Sequence, residues 1–538
     1  MVITIRAALS CSLLAFICCA CEAGTGTGGA PRGGSGGSAG AGGGGTLPDG
    51  TPTEALLPAR IRRLTNAEYD ASVRALTATA LTPARTFAPD LRQDGYTLNE
   101  AQRVDPLLVK QLASAAEAIA AEIKTNLDAH APCADAAGQG ETCATTFIQS
   151  FGARGYRRPL DQAESDALLT VYRTAAEGAT YADGIELVAS AVLQSAGFLY
   201  LTELGDGAGP VVTLTPHELA SSLSYLLTEA PPDDALVEAA LAGTLSTPEG
   251  RAEQARRLLD TAGSERGVRV LREWLGVDRL ELTAKDSNVY PEFEAVKASM
   301  LAETDAFIEA LLGSAGTVGQ LLSADSTVAD APLAAMYGTS TRHGVLNQGA
   351  FLSVFAHATE TGPVLRGVTV ARRVACLIIP SPTELDIDVV PPVPDPSKTT
   401  RERFAVHSTD PVCAGCHSTI DAFGFAFEHF DGMGKYREMD NGQNVNSAVT
   451  LAAGTDFDGD YADSNALALA LAESASVRSC FARHVFRASA GTSGALAQAS
   501  EDAFVAAWQA DPTAASGNIS ETLIAYAKSP LFAQRRLP

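Results

Sequence analysis

The sequence is short of positive charge: 39 lysines and arginines stand against 63 aspartates and glutamates, for a formal charge of −24. Such a chain repels nucleic acid and anionic membrane surfaces at long range, so nucleic acid is excluded as a partner. Beyond the N-terminus it has no apolar run long enough to span a bilayer. A nucleophile elbow, a metalloprotease histidine pair and a phosphate-cradling glycine loop are all missing, so no hydrolase or nucleotide chemistry is announced by motif. Alternating apolar and polar residues are scarce, which argues against a sheet protein.

What is present is a globular chain of 538 residues, 46% of them hydrophobic, enough for a sizeable core and three or four domains. Its start reads as an export signal: Arg6 supplies charge, Ala7 to Cys19 an apolar run, and Ala20 a small residue before Cys21. The Ala20-Cys21 junction resembles a bacterial lipoprotein processing site, with Cys21 becoming the lipidated first residue. An ordinary cleaved signal is the alternative. The Gly/Ser/Thr/Ala-rich tract over residues 23–50 buries nothing and reads as a flexible tether.

Helical signals dominate the rest. Thr215-Pro216-His217-Glu218 is a capping box with proline at the first helical position, followed by Leu219, Leu223, Leu226 and Leu227 at helical spacing. Further amphipathic runs cover residues 105–127, 161–176, 183–200, 233–242, 249–261, 264–276, 293–313, 363–377, 464–487 and 498–510. The fold class expected is therefore mainly α, in several helical modules. Val389 to Pro396 should be an extended polyproline connector. Asp456-Phe457-Asp458-Gly459-Asp460 has an incomplete calcium-loop pattern and reads as a solvated turn.

Of the ten cysteines, Cys11, Cys18 and Cys19 leave with the signal, Cys21 is the lipid candidate, and six remain. Cys413, Cys416 and His417 form Cys-x-x-Cys-His, the pattern in which two thiols bond covalently to a haem and the adjacent imidazole binds its iron. A thioredoxin-like pair wants an α/β context and half a zinc site wants a second Cys/His pair; neither lies nearby. One covalent haem c is the cofactor expected. The sixth iron ligand is open among His407, His429, Met433 and Met439, with His407 and Met433 ranked first. Arg157, Arg158 and Arg366 have the chemistry to bind haem propionates, though surface or helix-end roles compete. The even remainder is read as two disulfides, a local Cys133–Cys143 and a long-range Cys376–Cys480, although sequence alone does not give connectivity.

These residues also carry a resemblance. Ile61-Arg62-Arg63-Leu64-Thr65-Asn66-Ala67-Glu68-Tyr69, Tyr156-Arg157-Arg158-Pro159-Leu160, the helix opening at Thr215 and the density of matches from Gly344 to Arg437 resemble multidomain exported proteins of planctomycetes and myxobacteria. Those are built from a planctomycete-type cytochrome C domain and companion domains of unknown function. The resemblance implies a signal peptide (1–20), a lipid-anchor cysteine with Gly-rich linker (21–55), an N-terminal helical module (56–130), and a helical module with the Arg-Arg-Pro-Leu segment (131–205). A large central helical module (206–338), a cytochrome c-like module (339–440) and a C-terminal helical module (441–538) follow. Met433 stands where such proteins often carry an aliphatic residue, which favours His407 as the sixth ligand. The function expected is single-electron transfer by an exported monohaem protein, periplasmic or at the cell surface, with a redox partner of basic character and the membrane met only through the lipid. A haem-relayed oxidoreductase whose helical region binds a substrate is the alternative, leaving enzyme status open, and a structural surface protein is the third reading.

Overall fold

Six of the helices begin with a reciprocal capping box, in which a Thr or Asp side chain accepts the N3 amide and the N3 side chain reaches back: Thr65–Glu68, Asp161–Glu164, Thr180–Asp183, Thr215–Glu218, Thr317–Gln320 and Thr399–Glu402. The computed structural model describes residues 45–261, 264–324, 328–338, 340–385, 392–393, 395–409, 411–494 and 497–537. The export signal, Cys21, most of the Gly-rich tether and part of the proline-rich connector lie outside the described residues. The protein is mainly helical and multi-module. Among the described residues the named strands form four antiparallel two-stranded pairs.

The helices follow the apolar periodicity closely. Pro216–Thr228 buries Leu219, Leu223, Leu226 and Leu227, the four leucines at helical spacing. The run expected over 464–487 is two helices, Ser464–Glu473 and Ala475–Ala490, because Ser474 takes an extended backbone and its hydroxyl caps the second. Likewise the run over 183–200 is helical as Tyr181–Gln194 and Ala196–Leu199, and at Tyr200 the chain leaves into a strand.

Two of the strand pairs join distant parts of the chain. Arg60–Arg63 lies antiparallel to Tyr200–Glu203, and Val211–Thr213 to Gln534–Arg536. The central, cytochrome-like and C-terminal parts share one interior: Leu223, Trp274, Phe351, Phe423, Phe481 and Phe532 belong to one buried apolar cluster, while Leu64, Leu201 and Tyr225 form another. Arginines stitch the borders of the shared interior by donating to main-chain carbonyls. Arg251 reaches Ala527 and Lys528 near the C-terminus, and Arg373 reaches Glu273 and Trp274.

One crossing sets the position of the Cys-x-x-Cys-His segment. The helix Pro363–Thr369 packs on the helix Pro411–Phe425 with no side chains between them at two points. A Cβ at Gly367 would run into the Ile420 carbonyl, and one at Gly424 into the Pro363 carbonyl. Gly367→Ala and Gly424→Ala are each expected to lower stability by about 1–3 kcal/mol, because backbone cannot yield as a flexible side chain would. That cost exceeds the roughly 1 kcal/mol that alanine gains in helix propensity. Thermal unfolding followed by circular dichroism checks this, and melts equal to the parent protein would show that the helices part freely.

Candidate haem-attachment site

The helix Pro411–Phe425 puts Cys413 and Cys416 three residues apart, on one face, and His417 directly after them. Both thiols are free and half-buried. His417 Nδ1 is 2.8 Å from Asp421 Oδ1, one helical turn on. Asp421 is buried, so its carboxylate fixes the imidazole's orientation and leaves Nε2 as the nitrogen for a metal. That is the arrangement a metal-ligating histidine normally has.

His407 arrives from a separate short helix, Val406–Thr409. Its ring lies 4.1 Å, centroid to centroid, from that of His417 and meets Phe404 edge-on at 5.2 Å. Its Nδ1 is 3.8 Å from Asp421 Oδ2 and, among the described residues, makes no hydrogen bond. Burial, with His417 adding to it, lowers the His407 pKa and favours the neutral imidazole, the form that binds metal.

The other residues singled out from the sequence lie elsewhere. Met433 is fully buried in the apolar cluster, where Ser353 donates to its carbonyl. His429 stacks on Tyr436 and its Nδ1 meets the Arg437 carbonyl at 3.0 Å. Met439 is half-exposed in the short strand Met439–Asp440. His407 is the one of the four that stands beside His417.

The three arginines considered for propionates are engaged in holding the fold. Arg157 donates to the Gly197, Phe198 and Tyr200 carbonyls, and Arg158 to Glu164. Arg366, fully buried, donates to the Leu352, Phe427, Phe430 and Asp431 carbonyls and so fastens the chain that follows the Cys-x-x-Cys-His helix. The aspartate-rich turn holds no vacant ligand cage. Asp458 accepts the Ala453, Gly454 and Thr455 amides, and Asp456 accepts those of Ala475 and Ser476 at the start of the next helix.

Sequence reasoning missed the role of Asp421. The signal was present, since His417 and Asp421 are four apart on a helix and must share a face. Both disulfides are formed: Cys133–Cys143, and Cys376–Cys480 across 104 residues. The donor set fits a haem c: two free thiols on one helix face, an adjacent imidazole oriented by a buried carboxylate, and a second neutral imidazole at hand.

Four family models match the chain, each described as a protein of unknown function: PSD3 (DUF1587) over residues 62–124, PSD5 (DUF1595) over 143–203, PSD4 (DUF1592) over 214–339 and PSCyt3 (DUF1588) over 342–440. No curated protein and no solved structure matches it. Cys413, Cys416 and His417 fall within the PSCyt3 stretch, whose name suggests a cytochrome-like family. The chain belongs to the multidomain proteins built from this planctomycete-type, cytochrome-associated domain set.

Proposed function

We propose that this chain is an exported monohaem protein that passes single electrons to a partner. The observation that carries the reading is the pair of free thiols beside an imidazole already oriented by Asp421. When bound, the haem supplies a one-electron ferric–ferrous couple. Cys413 and Cys416 would hold it by thioethers, and His417 would give the proximal nitrogen. Asp421 keeps the His417 proton on Nδ1. His407, beside His417, would be the second imidazole available to the iron. The fold behind them is rigid: the Gly367/Gly424 crossing and the Arg366 carbonyl clamp keep the helix from shifting.

Export rests on the N-terminal signal, and attachment to a membrane surface on Cys21. No helix among the described residues is long and apolar enough to cross a membrane. With 24 more acidic than basic groups the surface suits a basic redox partner, and such steering weakens as salt rises.

The test is an optical spectrum of full-length protein made in a host with haem c maturation, oxidised and then reduced, with a pyridine haemochrome. A sharp reduced α band, from haem that survives acid–acetone extraction, is the expected result. A correctly exported but colourless protein overturns the reading. In His407→Ala the low-spin spectrum should give way to a high-spin one that binds carbon monoxide when reduced. An unchanged spectrum would remove His407 from the axial position while leaving the attachment site intact.

A further inference from the structure

A second cluster of metal-ligand chemistry lies away from the Cys-x-x-Cys-His helix. Cys376 ends the π-helical turn region that follows Val370–Val374, and Cys480 and His484 sit one turn apart on the helix Ala475–Ala490. The two sulfurs and a ring nitrogen of His484 lie within 4.8 Å of one another. The sulfurs are joined in the disulfide.

His484 is the unusual member. It is buried, with 3% of its surface exposed, and stands against the Trp274 ring. Its Nδ1 is 2.9 Å from the Tyr96 hydroxyl, and Tyr96 is itself buried. Its Nε2 makes no hydrogen bond, although the Arg372 backbone is beside the ring. Its surroundings are those of a metal ligand: Tyr96 holds Nδ1, and a ring nitrogen lies within reach of the two sulfurs. Burial, together with Arg487, Arg373 and Arg483, drives its pKa well below the ordinary value, so the imidazole is neutral.

We propose that Cys376, Cys480 and His484 form a thiol-gated metal site, a disulfide when oxidised and a two-thiolate, one-imidazole site for a zinc-like cation when reduced. A dithiol delivers two electrons and two protons to the sulfurs and leaves as its own disulfide. Binding of the divalent cation then releases the two thiol protons. Three protein ligands leave the fourth tetrahedral position to water or an exchangeable ligand. Cys376 is half-buried, in a left-handed backbone (φ 52°), and Ile378 just beyond it is almost fully exposed, so this edge of the cluster is the one nearest solvent. In either state the site ties the 342–440 stretch to the C-terminal helices. The inference is independent of the haem reading, since it uses none of the same residues.

The experiment uses the full chain carrying Cys11→Ser, Cys18→Ser, Cys19→Ser, Cys21→Ser, Cys133→Ser and Cys143→Ser together with Cys413→Ala and Cys416→Ala, so that Cys376 and Cys480 are the two thiols left. It is reduced with a water-soluble phosphine, which takes oxygen from water, and titrated with cobalt(II) as probe. The expected result is one equivalent bound, with a thiolate-to-cobalt charge-transfer band and intense tetrahedral visible bands, both absent before reduction. X-ray absorption of the zinc form should show two sulfurs at about 2.3 Å and a nitrogen near 2.0–2.1 Å. His484→Gln should weaken binding by about 100-fold. If that variant misfolds by circular dichroism, the ligand count in the parent chain decides instead. No cobalt bands after reduction, or a sulfur-only shell around zinc, overturns the proposal.

Discussion

With Cys413 and Cys416 both replaced by alanine, the chain is expected to fold and travel as before but to retain no haem through acid–acetone extraction. The prediction divides structure from chemistry sharply because the two thiols are only half-buried. Neither belongs to the buried apolar cluster, whereas Ile420, Ala422, Phe423 and Phe425 further along the same helix are buried. Alanine is the best helix former, and substitutions outside the core usually change stability by less than 0.5 kcal/mol or so. A loss of colour with an unchanged melting curve therefore reports covalent attachment alone. Each single variant keeps one thioether and should hold haem less completely. His417→Ala should behave differently: covalent haem retained, Soret band displaced, since the thiols stay and only the proximal nitrogen is gone. A double-alanine chain that still carried acid-stable haem would sink the assignment of these cysteines.

The parts of the molecule that were legible in the sequence are those governed by local rules. The Thr215 capping box and its four leucines specify a helix within one turn of chain, and the structure builds it there. The Cys-x-x-Cys-His segment is legible because its three functional groups are consecutive. What escaped is set by contacts between distant residues. The two strand pairs between distant segments are three or four residues long and join partners such as Arg60 and Glu203, so no local alternation announces them. The break at Ser474 is invisible to apolar periodicity, which continues across it; only the cap chemistry of serine marks it. The arginines were the least legible. A guanidinium carries five donors and satisfies them on whatever carbonyls end nearby, so the duty of Arg366 to four carbonyls, rather than to a haem propionate, has no signature in sequence. His407 falls between these cases, since it lies ten residues before His417 and only the turn back of its short helix brings the rings together.

Glu203→Gln is expected to cost about 3–5 kcal/mol, the penalty for leaving buried positive charge without its partner. Glu203 is 5% exposed and receives Arg60 Nε at 2.7 Å and Arg535 Nη2 at 2.6 Å, while Arg535, 1% exposed, also donates to the Leu531, Phe532 and Gln534 carbonyls. Glutamine fills the same space, so the loss measures charge and not a cavity. Burial by itself would raise the Glu203 pKa, but Arg535 and Arg60 outweigh it and hold the carboxyl well below the usual range. A depressed folded-state pKa means that the contribution is fully present above the unfolded value, about 4.3, and is lost as pH falls from there towards the folded value. Denaturant unfolding of parent and variant should therefore show a wide gap at pH 7 that narrows below about pH 4. A gap that did not change with pH would mean that the loss comes from altered packing. The reason to expect so large an effect from one carboxylate is topological. Arg60, Glu203 and Arg535 come from the N-terminal strand, the strand that ends the second module and the last strand of the chain. Their junction closes the interior on which the Cys-x-x-Cys-His helix rests, so weakening it should loosen a site far away in sequence without touching any of its ligands.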